Sequence, residues 1–237
     1  MRPRHLAGIA LAVPTAFGLA ALLLTEAVVT SAPEGPAGYY LRNSIADSGA
    51  INVVTTVLLD YRAFDTLGEA SVILASVAAI SALLAGSKPE RTEQGLSPLV
   101  QTSIGYLAAV FWIFPVYIVF HGHLSPGGGF QGGVSLAVLV ILVYVVFGST
   151  RASQHLTPSL LHGAESASAL GFLLLGTVGI AQGFAFLANA AAGFPTGEPG
   201  RLVSGGVIPL LNLAIGIKVA AGLGSIYLDI LSADDTP

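Results

Sequence analysis

The chain has 237 residues, of which 54% are hydrophobic and only 9% charged, and its formal net charge is -4. Soluble domains carry about 25% charged residues, so this composition belongs in a bilayer, and scattered Lys and Arg residues without a basic patch exclude nucleic acid as a partner. The absence of cysteine excludes disulfides, Cys-ligated zinc and cysteine-held iron–sulfur clusters within the chain.

A helix needs about 20 mainly apolar residues to cross about 30 Å of hydrocarbon. Six runs qualify, at residues 6–29, 67–85, 99–120, 133–149, 167–190 and 206–228. The first opens with "MRPRHLAGIALAVP", a basic start and apolar run like those of a signal peptide, but it continues to Val29, long for a signal, and reads as a retained helix. The Pro/Gly-rich "SAPEGPAGYY" follows it, and then Ile51, Val54, Leu58 and Phe64 are spaced for a short amphipathic helix lying at the membrane interface. Asp60 and Arg62 stand just before the second run, and Asp65 and Glu69, four apart, share a face at its start. The polar stretch "GSKPERTEQGLSP" marks a boundary, giving an N-terminal two-helix part (1–87), a linker (88–98) and a C-terminal four-helix part (99–237). Strand-type alternation is absent, and backbone polar groups in lipid must be satisfied within helices. The expected fold is an all-α integral membrane protein of about six transmembrane helices, with a Gly-rich segment between the third and fourth. Lys and Arg fall more often on the side of the N-terminus, which favours a cytoplasmic N-terminus.

That Gly-rich segment is "HGHLSPGGGFQGG", residues 121–133. Gly127, Gly129 and Gly132 formally satisfy the dinucleotide fingerprint, but a membrane helix precedes them where a strand is required, and the next acid is Glu165. His121 and His123 are two apart and lack further ligands at a telling spacing, so they read as interfacial histidines bonding backbone or headgroups, and no metal is expected. Ser125 precedes proline and has no orienting acid, so no nucleophilic catalysis is expected. Neither enzyme activity nor a cofactor is indicated. What remains is a tight reversal or a packed, partly buried element, and so many glycines favour the second. Pro126 disfavours helix at Ser125, Gly127, Gly128 and Gly129 permit close backbone approach, and Gly129 and Gly133 open the next helix as G-x-x-x-G. His121, Gly122, His123, Phe130 and Gly132 complete this packing motif.

Lys218 lies close to the middle of the last run, where an ionisable group is costly and functional by default. Gly216, Ala220 and Gly224 form a small-residue stripe on the same helix, the mark of close packing on a neighbour. Asp60, Asp65 and Glu69, Glu26 in the first helix, and His162 with Glu165 entering the fifth are further ion-path candidates, because carboxylates and imidazoles can bind ions or pass protons. Glu69 is the expected partner of Lys218, with Glu26 second.

"GHLSPGGGFQGG" resembles the signature of the MnhB/MrpB family, membrane subunits of multi-subunit Mrp-type Na⁺/H⁺ antiporters with counterparts in membrane-bound hydrogenases related to respiratory complex I. "SGGVIPLLNLAIGIKVAAGL" extends the resemblance over residues 99–228. "NVVTTVLLDYRAFDTLGEASVILASVAAI", residues 52–80, is similar to the C-terminal region of MrpA, the large antiporter protein, and to its small hydrogenase-complex equivalent, so the chain resembles a fusion of two neighbouring subunits. The resemblance implies a non-catalytic subunit in the cytoplasmic membrane of a prokaryote, assembled with other membrane subunits and with Na⁺ and H⁺ as the ions. It also implies that Glu69, in "DTLGE", is a translocation residue. Two rival readings stand beside it: a scaffold with no ion-path residues, and a stand-alone channel or carrier.

Overall fold

The computed structural model describes residues 35–84 and 95–231. The first expected span and Glu26 lie outside these residues. The chain divides into two compact units, 1–42 and 43–237. In the first, the opening turns of α1 (Pro36–Ser48) carry Tyr39 edge-on to Tyr40, with ring centroids 6.4 Å apart. Everything below concerns the second unit.

A short helix, α2 (Val53–Thr56), runs into a π-helical turn (Val57–Tyr61) and then into α3 (Ala63–Leu83). The amphipathic segment expected around Ile51 to Phe64 is therefore a broken lead-in to α3. After it come α4 (Pro98–Phe120), α5 (Gly129–Phe147), the single turn α6 (Ser149–Ala152), α7 (Pro158–Ala181) and α8 (Ile208–Leu231). Five helices among the described residues, α3, α4, α5, α7 and α8, are long and apolar enough to cross a membrane. The protein is an all-helical integral membrane protein.

Helix α8 is the axis of the bundle. It is buried along most of its length, and α3, α4, α5 and α7 pack on it. Its small residues make this possible: Gly216 lies against Val119 of α4, and Gly224 against Val140 of α5 and Leu161 of α7. Two apolar clusters fill the seams, one around Phe172, Leu211, Ile215 and Val219, the other around Val140, Tyr144, Leu161 and Leu228. By contrast α4 turns Leu99, Tyr106, Val110, Ile113 and Phe114 outward. A patch of that size would be an aggregation hazard in water and is the surface a bilayer or a neighbouring apolar helix requires.

The fifth span departs from the expected 167–190. Pro158 occupies the first turn, where its missing N–H costs nothing, and the Thr157 side chain accepts from the Leu160 N–H at 3.1 Å, so the helix starts earlier and carries His162 and Glu165 inside it. It stops at Ala181, and Gly183 turns the chain at φ +85. Residues 184–189 then fold back along the helix: the Phe184 N–H donates to the Gly179 carbonyl at 2.9 Å, and Leu187 N–H to that of Gly176 at 3.1 Å. Phe186 fills the place a side chain at Gly176 would need, and it packs on Phe64 and Phe172. Buried Asn189 fastens this segment. Its Nδ2 donates to the Gly205 carbonyl at 3.1 Å, and its Oδ1 accepts from the Val207 N–H at 3.0 Å. Residues 186–189 are buried, and irregular backbone beside a spanning helix is tolerated where protein encloses it and satisfies its polar groups.

Candidate functional site

Between α4 and α5, residues 121–128 make a compact non-helical segment held from three sides. Asn52 caps α2 through its Oδ1, which accepts from the Val54 N–H at 3.1 Å, while its Nδ2 donates to the carbonyls of Gly122 and Ser125 at 2.8 and 2.9 Å. The Thr55 hydroxyl donates to the same Gly122 carbonyl at 2.7 Å, and the Asn52 N–H to the His123 carbonyl at 3.1 Å. Across the segment, Asn212 of α8 accepts the Gly129 N–H at 3.0 Å and so caps α5. Gly128 sits at φ +140, a backbone conformation that a side chain would strain. A Cβ at Gly129 would lie 2.6 Å from the Asn212 carbonyl oxygen, and one at Gly133 2.7 Å from Val219, so the G-x-x-x-G stripe is the face on which α5 meets α8. Gly132 faces Val119 and Pro115 of α4 instead. Pro126 is exposed, and Phe130 is half-buried.

The two histidines part company. His121 stacks on Tyr117, ring centroids 4.0 Å apart, and its Nδ1 meets the Tyr117 carbonyl at 3.2 Å. His123 is fully buried, so of the two expected surroundings, backbone or headgroups, it has the backbone. Burial holds its pKa below the usual histidine value, although the Arg201 and Leu202 backbone pulls the other way, and neither ring nitrogen makes a well-formed hydrogen bond.

A cavity of about 240 Å³ opens beside this clasp, lined by Thr55, Thr66, Glu69, Gly128, Gln131 and Asn212 among others. Glu69 is exposed at its rim. Asp65 points elsewhere, into a surface ion pair with Arg62 at 2.6 Å, an arrangement worth about 0–1 kcal/mol. Asp60, in the π-helical turn, is half-buried. Burial raises its pKa from 3.8 to about 6, the Asn189 backbone restrains that rise by hydrogen bonding, and nearby Asp47 adds to it. Thus the second-run acids expected together are distributed over three environments.

The partner of Lys218 is Glu165. Lys218 Nζ lies 3.8 Å from Glu165 Oε1, and the two side chains are 2% and 3% exposed. Glu69, the expected partner, does not meet Lys218, because α7, not the start of α3, presents an acid to this face of α8; Glu26 lies outside the described residues. Lys218 stands ten residues past Ile208 and thirteen before Leu231, about 15 and 20 Å from the helix ends at 1.5 Å per residue. Beyond the pair, His162 Nε2 lies 3.9 Å from Asp229 Oδ1, and the Ser81 hydroxyl of α3 donates to the other Asp229 oxygen. Asn52, Thr55, Asn189, Asn212 and Asp229 are the site residues that sequence reasoning missed. Asn212, a lone amide inside an apolar run, was the one with a visible signal.

Residues 99–225 match the domain related to the MnhB subunit of Na⁺/H⁺ antiporters. The chain belongs to the MnhB family. Residues 3–98 of this MnhB-family chain match a second family, MbhE, the E component of MBH. An uncharacterized protein of Methanocaldococcus jannaschii is 33% identical over 199 residues, covering 73% of this chain and 74% of the relative. The A/B component of a probable K(+)/H(+) antiporter of Rhizobium meliloti is 28% identical over 81% of this chain, which spans only 22% of that longer protein. Among solved structures, a chain of the membrane-bound sulfane sulfur reductase, an archaeal respiratory membrane complex, superposes with a TM-score of 0.74 at 32% identity, covering 95% of this MnhB-family chain and 98% of its own. A chain of the Mrp complex from Dietzia sp. DQ12-45-1b matches the fold with a TM-score of 0.70 at 24% identity, and this chain covers 27% of it.

Proposed function

We propose that this MnhB-family protein is a non-catalytic subunit of a multi-subunit cation/proton antiporter or of a related redox-driven complex in a prokaryotic cytoplasmic membrane, and that it contributes part of the path for Na⁺ and H⁺. The observation that carries the reading is the Lys218–Glu165 pair, two opposite charges enclosed in apolar helices near half depth. Ionised groups so placed are costly and mark ion or proton pathways. The cavity rimmed by Glu69 supplies a second polar station, closer to the Gly-rich clasp. The separate matches of residues 3–98 and 99–225 support a two-part chain, 1–87 and 99–237 joined by 88–98, in which two neighbouring subunits are fused. Other membrane subunits are the partners, and the outward apolar face of α4 is the kind of surface they or lipid would cover.

The test is cation-coupled proton flux in proteoliposomes holding the whole complex at matched protein levels. Lys218→Ala and Glu165→Gln should each cut flux strongly with the complex assembled, and Lys218→Arg should restore little, because a guanidinium does not readily release its proton. Glu69→Gln reports on the second station in the same assay. Wild-type flux from all of these variants would leave the scaffold reading standing.

A further inference from the structure

The Lys218–Glu165 pair does not end in apolar packing on every side. Along α8, Ser225 and Asp229 follow Lys218 by seven and eleven residues, spacings that return to the same helix face, so all three look toward α7. On α7, His162 precedes Glu165 by three, and residues three apart on a helix are neighbours. The helices run past each other so that Gly222 meets Glu165, Gly224 meets Leu161, and Asp229 meets His162. Polar side chains therefore line this seam as a file, from Lys218 and Glu165 past Ser225 to the His162–Asp229 pair, with Ser81 of α3 at its end. Exposure rises along it: the pair is 2% and 3% exposed, Asp229 20% and His162 40%. Three buried atoms in the file, Lys218 Nζ, Glu165 Oε1 and Ser225 Oγ, have no hydrogen-bond partner among the described residues, a concentration that packing alone does not call for.

Gly222 has a specific part. A Cβ there would lie 3.0 Å from Glu165 Oε1, so glycine at this position leaves the space in which the carboxylate faces the lysine. Asp229 has one oxygen held by Ser81 and presents the other to the imidazole. At 3.9 Å that oxygen lies within ion-pair reach of the ring but beyond a direct hydrogen bond.

We infer that His162, Asp229 and Ser81 form the membrane-surface end of a one-sided proton relay that loads and unloads the Lys218–Glu165 pair from the α8 C-terminal end. It rests on the reading that the pair belongs to the ion path, and it names the proton as the species that reaches the pair by this route. The step balances without any redox partner. Imidazole Nε2 accepts a proton from water at the surface, the Asp229 carboxylate compensates the new charge, and the proton passes along the file to the Glu165 carboxylate, leaving neutral imidazole to accept the next. A protonated Glu165 no longer compensates the Lys218 ammonium, which is left unpaired among apolar side chains until the proton leaves Glu165 again along the same file. Reversal returns the proton to the same surface.

The experiment is chemical rescue in proteoliposomes of the intact complex. His162→Ala should lower cation-coupled proton flux by about tenfold, less than the 10²–10⁴ a positioned acid–base group supplies because water partly replaces an exposed one. Millimolar imidazole should restore that flux, since His162 lies at the exposed end. Glu165→Gln, buried, should lose flux and gain nothing from imidazole. His162→Gln keeps a hydrogen-bonding side chain and serves if the alanine variant fails to assemble; it should behave alike. Wild-type flux from His162→Ala, or a loss in an assembled complex that imidazole does not restore, overturns the relay while Glu165→Gln and Lys218→Ala still report whether the pair transports. Wild-type flux from those two overturns the underlying reading as well.

Discussion

Removing one member of the Lys218–Glu165 pair should destabilise the protein far more than removing both. At 3.8 Å two unit charges attract by about 4 kcal/mol at an effective dielectric of 20, and with both side chains almost fully enclosed there is little solvent screening to subtract. Deleting one partner of a buried pair costs about 3–5 kcal/mol because the other charge is left uncompensated. Replacing both by apolar side chains of similar length is often neutral or stabilising. Lys218→Met and Glu165→Met should therefore each lower stability by about 3–5 kcal/mol, and the double variant should return to within about 1 kcal/mol of the parent, a coupling of several kcal/mol. The assay is a denaturant series on the detergent-solubilised complex, following release of this chain, for all four members of the cycle. Its value grows when flux is measured on the same four proteins: the double variant should recover stability and not transport. Additive single effects, with coupling below about 1 kcal/mol, would refute the claim that the two charges hold each other in the folded state.

Asp60→Asn should remove a pH dependence. Because the folded-state pKa of Asp60 is raised from 3.8 to about 6, the folded protein holds this proton more tightly than the unfolded one, so its contribution is present below pH about 4 and is lost as pH rises through about 6; melting curves across that window should flatten in the variant. Asn52→Ala breaks the α2 cap, strips the Ser125 carbonyl of its donor and leaves the Gly122 carbonyl to Thr55 alone, a loss of about 2–4 kcal/mol from a cap plus an unsatisfied acceptor. Limited proteolysis at residues 121–128 should reveal it, and unchanged resistance would remove Asn52 from the clasp. Gly129→Leu should leave membrane insertion intact and separate α5 from α8, since the new side chain meets the Asn212 carbonyl and Ile215; a double-cysteine crosslink between the two helices, read in the cysteine-free chain, should be lost.

Three features were legible from residues alone because each depends on local sequence. Apolar runs of bilayer length announced α3, α4, α5 and α8 to within a few residues, since the need to satisfy backbone groups in lipid leaves little choice but helix. The depth of Lys218 followed from a fixed rise per residue. The density of glycine at 127–133 likewise announced close backbone approach, although which helix approaches is a pairwise fact, and Asn212 and Ile215 of α8 are eighty residues away in sequence.

Apolar composition cannot distinguish a spanning helix from irregular chain buried against it, and residues 182–190 show the cost: equally hydrophobic, they fold back over α7 because Gly183 turns them and the protein supplies Asn189 and the Gly176 and Gly179 carbonyls as partners. The same ambiguity left Glu165 at the entry of the fifth span, and Pro158 and Thr157, by setting the start of α7, bring it inside the helix. The depth of the lysine was written in the sequence, but its pairing with Glu165 and not Glu69 was made by helix adjacency: α7 lies against the face of α8 that Lys218 occupies, with Gly222 leaving room for the acid. Charge and hydropathy are properties of single residues and of runs, whereas an ion pair depends on the distance between two helices, and only the packed bundle sets that distance.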